Sequence, residues 1–503
     1  MDKDDDFLDS FENNLSNQSN DIIKNTNNWQ EVDEKTLQRQ IELNQYFSRN
    51  PTSLIQLNSL TSNNQTIRPS ILRQYVHSTI SNAKSFDELY NGLDILNTKL
   101  IQHGLVTSII PNIDTPDGFK LPSAGTSTIS TYFPTLPQSF SNMGSNQSSI
   151  VDLNVNLNIT PIKKFLAKTG TNIGNSEGDG YLQFQLRNIF GGGEQLNFNF
   201  SKGTKIHSSY NLNYFQPITP DWLFKASLFK NSVQVGAPID LLSQGIRLSA
   251  SSNFLSNTKT LVNHEFSTDH YLRTTKIRMN SVSDTLLFQA GNDFISKLGY
   301  SCTFDSRDHP IVSSRGTLIK LGNEFAPDRF FKTNLEIVKN KSFFRDDFIT
   351  MACTFKTGYI HNFFPNSKAI HRNDKFQNGG ANDIRGFQFM GLGPKDRFDS
   401  VGGDAFISYG FSVMNKIPIW KFYDSNFRFH WFVNGGKLIN SNGKGLLNTF
   451  NDLSKQNSMS VGMGIVFRHP MARFELNFAI PVVTHSGDIT RKGFQYGIGL
   501  SFL

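Results

Sequence analysis

Residues 376–404 read FQNGGANDIRGFQFMGLGPKDRFDSVGGD, and this stretch decides how the rest of the chain is interpreted. Seven glycines and Pro394 make it a turn-rich connection rather than a strand or a helix. At its centre the tetrad Ile384-Arg385-Gly386-Phe387 holds a single arginine. Connections of about thirty residues usually either carry function or are disordered. Taken alone, the tetrad favours a plain surface loop with an incidental arginine, and the flanking sequence reverses that interpretation.

The composition is compatible with a membrane barrel but does not require one. Over 503 residues the hydrophobic content is 37% and the mean hydropathy is -0.35. No run approaches the ~18 apolar residues of a membrane-spanning helix. Barrel strands alternate apolar and polar residues, which dilutes hydropathy, and the 45 phenylalanines suit lipid-facing positions. Composition alone leaves a soluble β-sandwich equally open.

Charge, cysteine content and motifs argue against several classes of protein. The net charge of +7 suits an anionic lipid surface, whereas no basic run with interleaved aromatics indicates nucleic-acid binding. Cys302 and Cys353 have no metal-ligand spacing around them. Residues 174–178 match G-x-S-x-G, but Ser176 is followed by a strand, whereas an esterase requires a helix there. We therefore predict no enzyme activity, no catalytic residues, no metal and no cofactor.

The amino-terminal sequence MDKDDDFLDSFENNLSNQ is acidic and lacks the features of a cleaved targeting segment. It has neither the apolar core of a secretory signal nor the arginines of a transit peptide. Residues 1–30 are predicted to form a disordered acidic tail. If the sequence is full-length and forms a membrane barrel, it reaches its membrane from the cytosol. This points to the mitochondrial outer membrane, with a plastid envelope as the alternative.

Residues 31–160 follow an α+β pattern. A strand is predicted at 53–60, followed by a helix that begins at Pro69 and a second helix that begins at the capping box Ser85–Glu88. Gly104 stands at the C-terminal cap of the second helix. Two further strands are predicted at 107–113 and 151–159. The Ser-, Thr-, Pro- and Gly-rich stretch at 115–149 is interpreted as a flexible insertion.

From residue 161 to residue 503, apolar and polar residues alternate almost without interruption. In residues 474–480, for example, Phe474, Leu476, Phe478 and Ile480 alternate with Glu475, Asn477 and Ala479. In residues 427–434 only Phe432 breaks the alternation. An apolar-out, polar-in repeat over roughly 340 residues is typical of a closed barrel with a wet interior. At about 21 residues per strand with its connection, there is room for about sixteen strands.

These segments together resemble the outer-membrane β-barrel assembly proteins that carry POTRA (polypeptide-transport-associated) domains, over about residues 50–503. The segments that carry the resemblance are the tetrad 384–387 with 402–404 following it, the turn at 188–194, the "DxRD" segment 304–308, and the closing strands at 431–436 and 478–481. The resemblance implies a single POTRA domain at 31–160, then a transmembrane antiparallel β-barrel at 161–503, with a long inward-folding loop at about 370–404. One POTRA domain, no signal peptide and the turn at 174–178 are most similar to the mitochondrial branch, the barrel core of the sorting and assembly machinery.

The resemblance implies an insertase that folds β-barrel precursors into the mitochondrial outer membrane, with its POTRA domain facing the intermembrane space. The implied partners are β-barrel precursors, peripheral subunits of the sorting and assembly complex, other outer-membrane barrels and membrane lipid. The first and last strands would part as a lateral gate. The first strand, near 164–173, contains Lys168 and Gly170. The last strand, near 494–502, resembles a mitochondrial β-signal at Gln495, Gly497, Leu500 and Phe502, and Gly499 with Gly497 weakens the packing of this strand. That signal is also compatible with directing only this protein's own insertion.

In the family, the arginine of the tetrad pairs with groups on the inner wall of the barrel. Members often have an acid in the closing-strand segment where this sequence has Asn434. The partner of Arg385 is therefore left open between Asp404, another acid of the lumen, and neutral hydrogen bonds such as those of Asn434. Two other functions also stay open, a protein-translocating or diffusion pore and a membrane-anchored receptor or tether.

Overall fold

The computed structural model describes residues 49–503, together with 43 and 45–47, apart from short gaps. The gaps are residues 82, 116–149, 175–176, 204–205, 236–238, 253, 256–259, 279–281, 365–368, 398, 419–422, 424, 442–444, 470–471 and 500–502. The chain divides into two compact units, Met1–Ile162 and Lys163–Leu503. The predicted tail at 1–30 and most of the predicted insertion at 115–149 lie outside the described residues.

The first unit is a three-stranded sheet with two helices. Its elements are β1 (Ile55–Ser62), α1 (Pro69–Thr79), α2 (Phe86–Gln102), β2 (Val106–Asp114) and β3 (Val151–Pro161). β3 is the central strand, parallel to β1 and antiparallel to β2. The alternation predicted for β3 puts Val151, Leu153, Val155 and Leu157 into the core, where they meet Leu89, Leu93, Leu96 and Leu100 of α2.

The start of α2 differs in one detail from the predicted capping box. Ser85 is the N-cap, and its hydroxyl accepts from the backbone N–H of Glu88 at 3.3 Å. The Glu88 carboxylate, however, accepts from the N–H of Lys84 at 2.8 Å, one residue before the cap. The C-terminal end of α2 agrees with the prediction, because Gly104 follows the helix with a φ of +65°.

The second unit is an antiparallel sheet of sixteen long strands. They are β4 (Phe165–Gly174), β5 (Glu177–Arg187), β6 (Gln195–Gly203), β7 (Ile206–Thr219), β8 (Trp222–Val235), β9 (Ile239–Ser252), β11 (Leu261–Ile277), β12 (Gly291–Asp305), β13 (Gly316–Ala326), β14 (Phe330–Phe343), β15 (Ile349–Asn362), β18 (Ala405–Lys416), β19 (Phe427–Ile439), β20 (Ser458–His469), β21 (Ala472–Val483) and β22 (Gly493–Gly499). Two-residue strands occur at β10 (Phe254–Leu255), β16 (Lys395–Asp396) and β17 (Asp399–Ser400). The connections also contain α3 (Asp284–Leu287), a 3₁₀ turn (Arg345–Asp347) and α4 (Leu446–Ser454).

The sixteen strands form a closed ring. Neighbours along the sheet follow chain order, β9 pairs with β11, β15 pairs with β18, and β22 lies beside β4. Every long strand therefore has a hydrogen-bonded neighbour on both sides, which removes the exposed edges that an open sheet would have. We call the β22–β4 contact the seam. The predicted fold, an α+β unit followed by a transmembrane antiparallel barrel of about sixteen strands, is confirmed.

The two faces of the barrel wall differ as the alternation predicts. On β21, Phe474 and Leu476 are 39% and 51% exposed, whereas Glu475 and Asn477 are 3% and 2% exposed. The exposed apolar face suits lipid and the polar face lines the lumen. Phe432, the exception in the pattern of β19, is buried on the lumen side. No helix in the described residues is both long enough and apolar enough to cross a membrane.

Candidate functional site

The connection between β15 and β18, residues 363–404, contains the tetrad and is referred to here as the long loop. Phe376 and Gly403 exchange two backbone hydrogen bonds of 3.0 Å, which bring the two ends of its central part together. Beyond this neck the tetrad is fully buried, with Ile384, Arg385 and Phe387 each 0% exposed. Its contacts are with lumen-facing side chains of β19 to β22, so the loop occupies the inside of the ring.

Arg385 forms an ion pair with Glu475 on the inner face of β21. Its Nε and Nη2 atoms donate to Glu475 Oε2 at 3.1 and 2.8 Å, and both side chains are completely buried. Glu475 also pairs with Arg473 at 2.5 Å and accepts from Asn477 Nδ2 at 2.6 Å. Arg385 Nη1 donates to the backbone oxygen of Leu503 at 2.8 Å. The buried charge is therefore compensated and hydrogen-bonded, as burial requires.

Two side chains of β19 complete the arginine pocket. The Arg385 guanidinium lies 4.8 Å from the centre of the Phe432 ring, a cation–π contact that accounts for the aromatic in a polar position. With the Asn434 amide oriented to satisfy its neighbours, its oxygen accepts from Arg385 N and Nη1 at 3.1 Å. Its nitrogen donates to Ser460 Oγ at 2.5 Å, and Ser460 donates in turn to the backbone oxygen of Arg385.

Gly386 joins the tetrad to the last strand. Its N–H donates to Gln495 Oε1 at 3.0 Å, and its carbonyl accepts from the N–H of Arg491 at 2.8 Å. Its φ of +83° disfavours any side chain, and an added Cβ would stand 2.9 Å from Cβ of Ser460. Only glycine fits between the arginine and the wall.

The apolar members of the tetrad pack on each other and on the end of the chain. Ile384 and Phe387 form a buried cluster with Leu392 and Leu503. Asn382 Nδ2 donates to the carbonyl of Ile498 at 3.0 Å, and the N–H of Leu503 donates to the carbonyl of Asn382 at 3.3 Å. The long loop is therefore attached to β22 and to Leu503 on both sides of the arginine.

Of the alternatives left open for the partner of Arg385, the structure shows another acid, Glu475, together with the neutral hydrogen bonds of Asn434. Asp404 pairs with Lys375 at 3.3 Å, beside the neck of the loop, because it immediately precedes β18 while Arg385 extends to β21. The acid that pairs with Arg385 is Glu475, which was not predicted as its partner. The alternating pattern of β21 could have identified this residue, because Glu475 is the one acid at an inward position of that strand.

The predicted gate residues that the structure describes lie on the two strands of the seam. Gln495, Gly497 and Gly499 are in β22, while Leu500 and Phe502 lie outside the described residues. Lys168 and Gly170 are in β4, opposite Gln183 and Tyr181 of β5. The Tyr181 ring covers Gly170 so closely that an added Cβ would stand 2.7 Å from its hydroxyl. Among the described residues of this set, Gln495 is hydrogen-bonded directly to the tetrad.

The described residues contain no group of three or more His, Cys, Asp and Glu side chains arranged to hold a metal. Cys302 and Cys353 are free thiols. Within the loop, burial raises the pKa of Asp383, whose carboxylate accepts from the N–H of Gly379 at 2.7 Å. This arrangement attaches the long loop to β19, β20, β21 and β22 by hydrogen bonds and one ion pair.

Comparison with known proteins agrees with this architecture. The Omp85 superfamily domain matches residues 188–502. The sorting assembly machinery 50 kDa subunit of Saccharomyces cerevisiae is 37% identical over 467 residues, which cover 88% of this chain and 93% of that protein. The sorting and assembly machinery component 50 homolog of Xenopus tropicalis is 31% identical over 364 residues, covering 70% and 76%. The crystal structure of BamA from Haemophilus ducreyi lacking POTRA domains 1–3 shares the fold, with a TM-score of 0.63 at 13% identity over 88% of this chain and 84% of that one.

Proposed function

We propose that this chain, which belongs to the Omp85 superfamily and within it to the family of the sorting and assembly machinery 50 kDa subunit, inserts β-barrel precursors into the mitochondrial outer membrane. The proposed route is a lateral gate at the seam between β4 and β22. Residues 31–160 act as a single POTRA domain that faces the intermembrane space and meets the precursor first. Companion subunits of the sorting and assembly complex and membrane lipid are the other proposed partners.

The physical problem is to bring strands into lipid without exposing their backbone. Each unpaired N–H or C=O group in the hydrocarbon region costs several kcal/mol. A closed barrel offers no edge, but a barrel that parts at one seam offers two, and a precursor strand can pair with either of them. The seam strands suit this role, because the described part of β22 is only 7 residues long and includes Gly497 and Gly499, which leave little side-chain packing.

The observation that carries the proposal is the attachment of the tetrad to β22. Gln495, on the seam strand, accepts from Gly386, and the carbonyl of Ile498 accepts from Asn382. A movement of β22 away from β4 therefore either breaks these hydrogen bonds or moves the loop with it. The loop is in a position to respond to the presence of a precursor strand at the seam. Replacement of Arg385 by alanine is expected to leave the barrel in the membrane and to slow the release of the precursor.

The proposal is tested with cysteines at the seam in isolated organelles. After removal of Cys302 and Cys353, Lys168→Cys in β4 is combined with single cysteines along the last strand of an arrested barrel precursor. A disulfide is expected at one register and not at neighbouring positions. It should be lost when the glycine of the precursor's β-signal is changed, because pairing then loses its register.

The matched control is Gln183→Cys, which lies directly opposite Lys168 but on β5, one strand away from the seam. It should give no disulfide with the precursor. Equal disulfides from both positions would mean that the precursor passes through the lumen, as the pore alternative requires. Crosslinks only to residues 31–160 would mean that the barrel anchors a receptor and that insertion takes place elsewhere.

A further inference from the structure

The long loop has a second attachment to the barrel wall, at Asp374, ten residues before the tetrad. Asp374 Oδ2 accepts from Arg273 Nη1 of β11 at 2.9 Å, and its Oδ1 accepts from Lys297 Nζ of β12 at 2.7 Å. Its backbone oxygen accepts from Lys332 Nζ of β14 at 3.0 Å. Three strands of the wall therefore hold one residue of the loop.

These charges are deeply buried. The Asp374 and Arg273 side chains are 3% and 2% exposed, and that of Lys297 is 12% exposed. Arg273 also forms an ion pair with Asp293 of β12, with 2.7 Å between Nη2 and Oδ2, and Asp293 pairs in turn with Arg329. Among these groups only Asp374 belongs to the loop. The loop carboxylate of Asp374 therefore pairs with two cations of the wall, Arg273 and Lys297.

Neighbouring loop residues add neutral contacts. His371 Nε2 lies 3.2 Å from Thr275 Oγ1 of β11, and the N–H of Arg372 donates to Gln289 Oε1 at 3.0 Å. Lys332 also lies 4.6 Å from the centre of the Phe376 ring, at the neck of the loop. These contacts attach residues 371–376, here called the base of the loop, to the barrel.

The two attachments use different parts of the ring. Asp374 is held by β11, β12 and β14, none of which borders the seam, whereas the tetrad is held by β19 to β22. We propose that Asp374 is a positioning residue, which fixes the base of the loop on the distant wall so that Arg385 and Gly386 reach the strands beside the seam. For its consequence in precursor assembly, this inference rests on the proposed function.

The inference predicts that the base of the loop can be released while the barrel stays intact. In Asp374→Asn the side chain keeps its size but loses its charge. Arg273 keeps Asp293, and Lys297 keeps Glu324 at 3.4 Å. The backbone ladders of β11 to β15 do not involve Asp374. The loss is therefore confined to the attachment of the loop.

Loop position is measured with a cysteine pair that reports on it directly. Asn378 Nδ2 donates to Ser408 Oγ of β18 at 2.9 Å, so Asn378→Cys/Ser408→Cys can be joined by brief oxidation in the full chain without Cys302 and Cys353. In the Asp374→Asn background we expect the crosslink yield after a fixed short time to fall about fivefold, since a buried charge pair has lost one partner. Resistance of the barrel to unfolding in detergent should be unchanged.

The matched control is Asp305→Asn. Asp305, the last residue of β12, pairs with Arg307 at 2.8 Å, and no hydrogen bond or ion pair joins it to the described residues of the loop. It should leave the crosslink yield unchanged, and an equal fall would mean that any lost ion pair loosens the barrel. Asp374→Glu, which keeps the charge, should restore much of the yield.

The two proposals fail in different ways. An unchanged crosslink in Asp374→Asn overturns the positioning role of Asp374, whatever the protein does to precursors. A reduced crosslink with normal assembly of an imported barrel precursor keeps the attachment but removes the loop from the proposed function. A reduced crosslink with slowed precursor release supports both.

Discussion

Arg385 and Glu475 are an ion pair with no exposure to solvent, and the stability of such a pair depends on how completely each charge is compensated. The compensation is unequal. Glu475 serves two cations, Arg385 through Oε2 and Arg473 through Oε1. Arg385 has Glu475 as its carboxylate, supplemented by Asn434, the oxygen of Leu503 and the face of Phe432. The acid is therefore the more critical member of the pair.

This asymmetry gives a testable order of effects. Glu475→Gln leaves two buried arginines without their carboxylate and should weaken the seating of the loop by about 3–5 kcal/mol. Arg385→Ala leaves Glu475 paired with Arg473 and should cost less. The measurement is the denaturant dependence of loop protection against protease in the purified barrel. Asp404→Asn weakens the pair with Lys375, whose side chains keep 16% and 14% exposure; it serves as the control and should cost less than Glu475→Gln. A larger effect for Arg385→Ala than for Glu475→Gln would contradict the order.

At the scale of single residues, sequence reasoning located the tetrad but only part of its pocket. Arg385 and Gly386 stand out because an arginine and a glycine in a long loop need a structural reason. Phe432 could be recognised as an exception, but its role depends on a guanidinium that comes from 47 residues away in the chain. Glu475 and Asp374 could not be assigned, because the pattern shows which face a residue occupies and not which loop residue it meets.

The base of the long loop, residues 371–376, holds a neutral histidine, His371. Burial lowers the pKa of His371 to about 4, with the nearby Arg273 also lowering it. The other charged groups facing it are Asp374 and Asp293, which raise its pKa, and Arg329, which lowers it. Asp374 keeps its charge in the same range, since Lys297 and Arg273 outweigh the effect of burial and hold its pKa at about 2.

The attachment of the loop base should therefore depend on pH in a defined window. Because the folded pKa of His371 is below the ordinary value of about 6.5, its contribution is complete above pH 6.5 and is lost as the pH falls towards 4. We expect the crosslink yield of Asn378→Cys/Ser408→Cys to fall between pH 6.5 and pH 4.5. Crosslinking is done with a reagent whose reaction is calibrated at each pH. His371→Gln, which retains a hydrogen-bonding group for Thr275, should abolish the dependence, and its persistence in that variant would assign the titration to another group.

Helices and strands whose apolar residues recur at a regular spacing could be predicted from the sequence. Segments whose path depends on contacts with residues far away in the chain could not. The strands of the barrel and the two helices of the first unit follow from alternation and from caps. The path of the long loop could be given only as inward, because its seven glycines remove the periodic signal. Even in a well-marked element, the Glu88 carboxylate accepts from the N–H of Lys84 rather than from that of Ser85.

At the scale of the whole barrel, the ring of sixteen strands is wide enough to conduct ions unless something fills it. Barrels of 16 to 18 strands leave an aqueous channel, whereas smaller ones are filled by their own side chains. Here the long loop lies in the lumen and is attached both at Asp374 and at Arg385. The intact protein should therefore conduct poorly, which distinguishes an insertase from a diffusion pore of the same architecture.

The neck of the loop allows this expectation to be tested with little disturbance. Phe376 and Gly403 are already hydrogen-bonded to each other, so residues 377–402 can be replaced by a two-residue Asn-Gly turn. In planar lipid bilayers the shortened protein should conduct several times more than the intact one, because the lumen loses its plug while the Asp374 attachment remains. The intact chain carrying the oxidised Asn378→Cys/Ser408→Cys pair is the control and should conduct no more than the unmodified protein. If the intact protein already conducts as well as the shortened one, the loop does not close the lumen, and the pore alternative is favoured over the insertase.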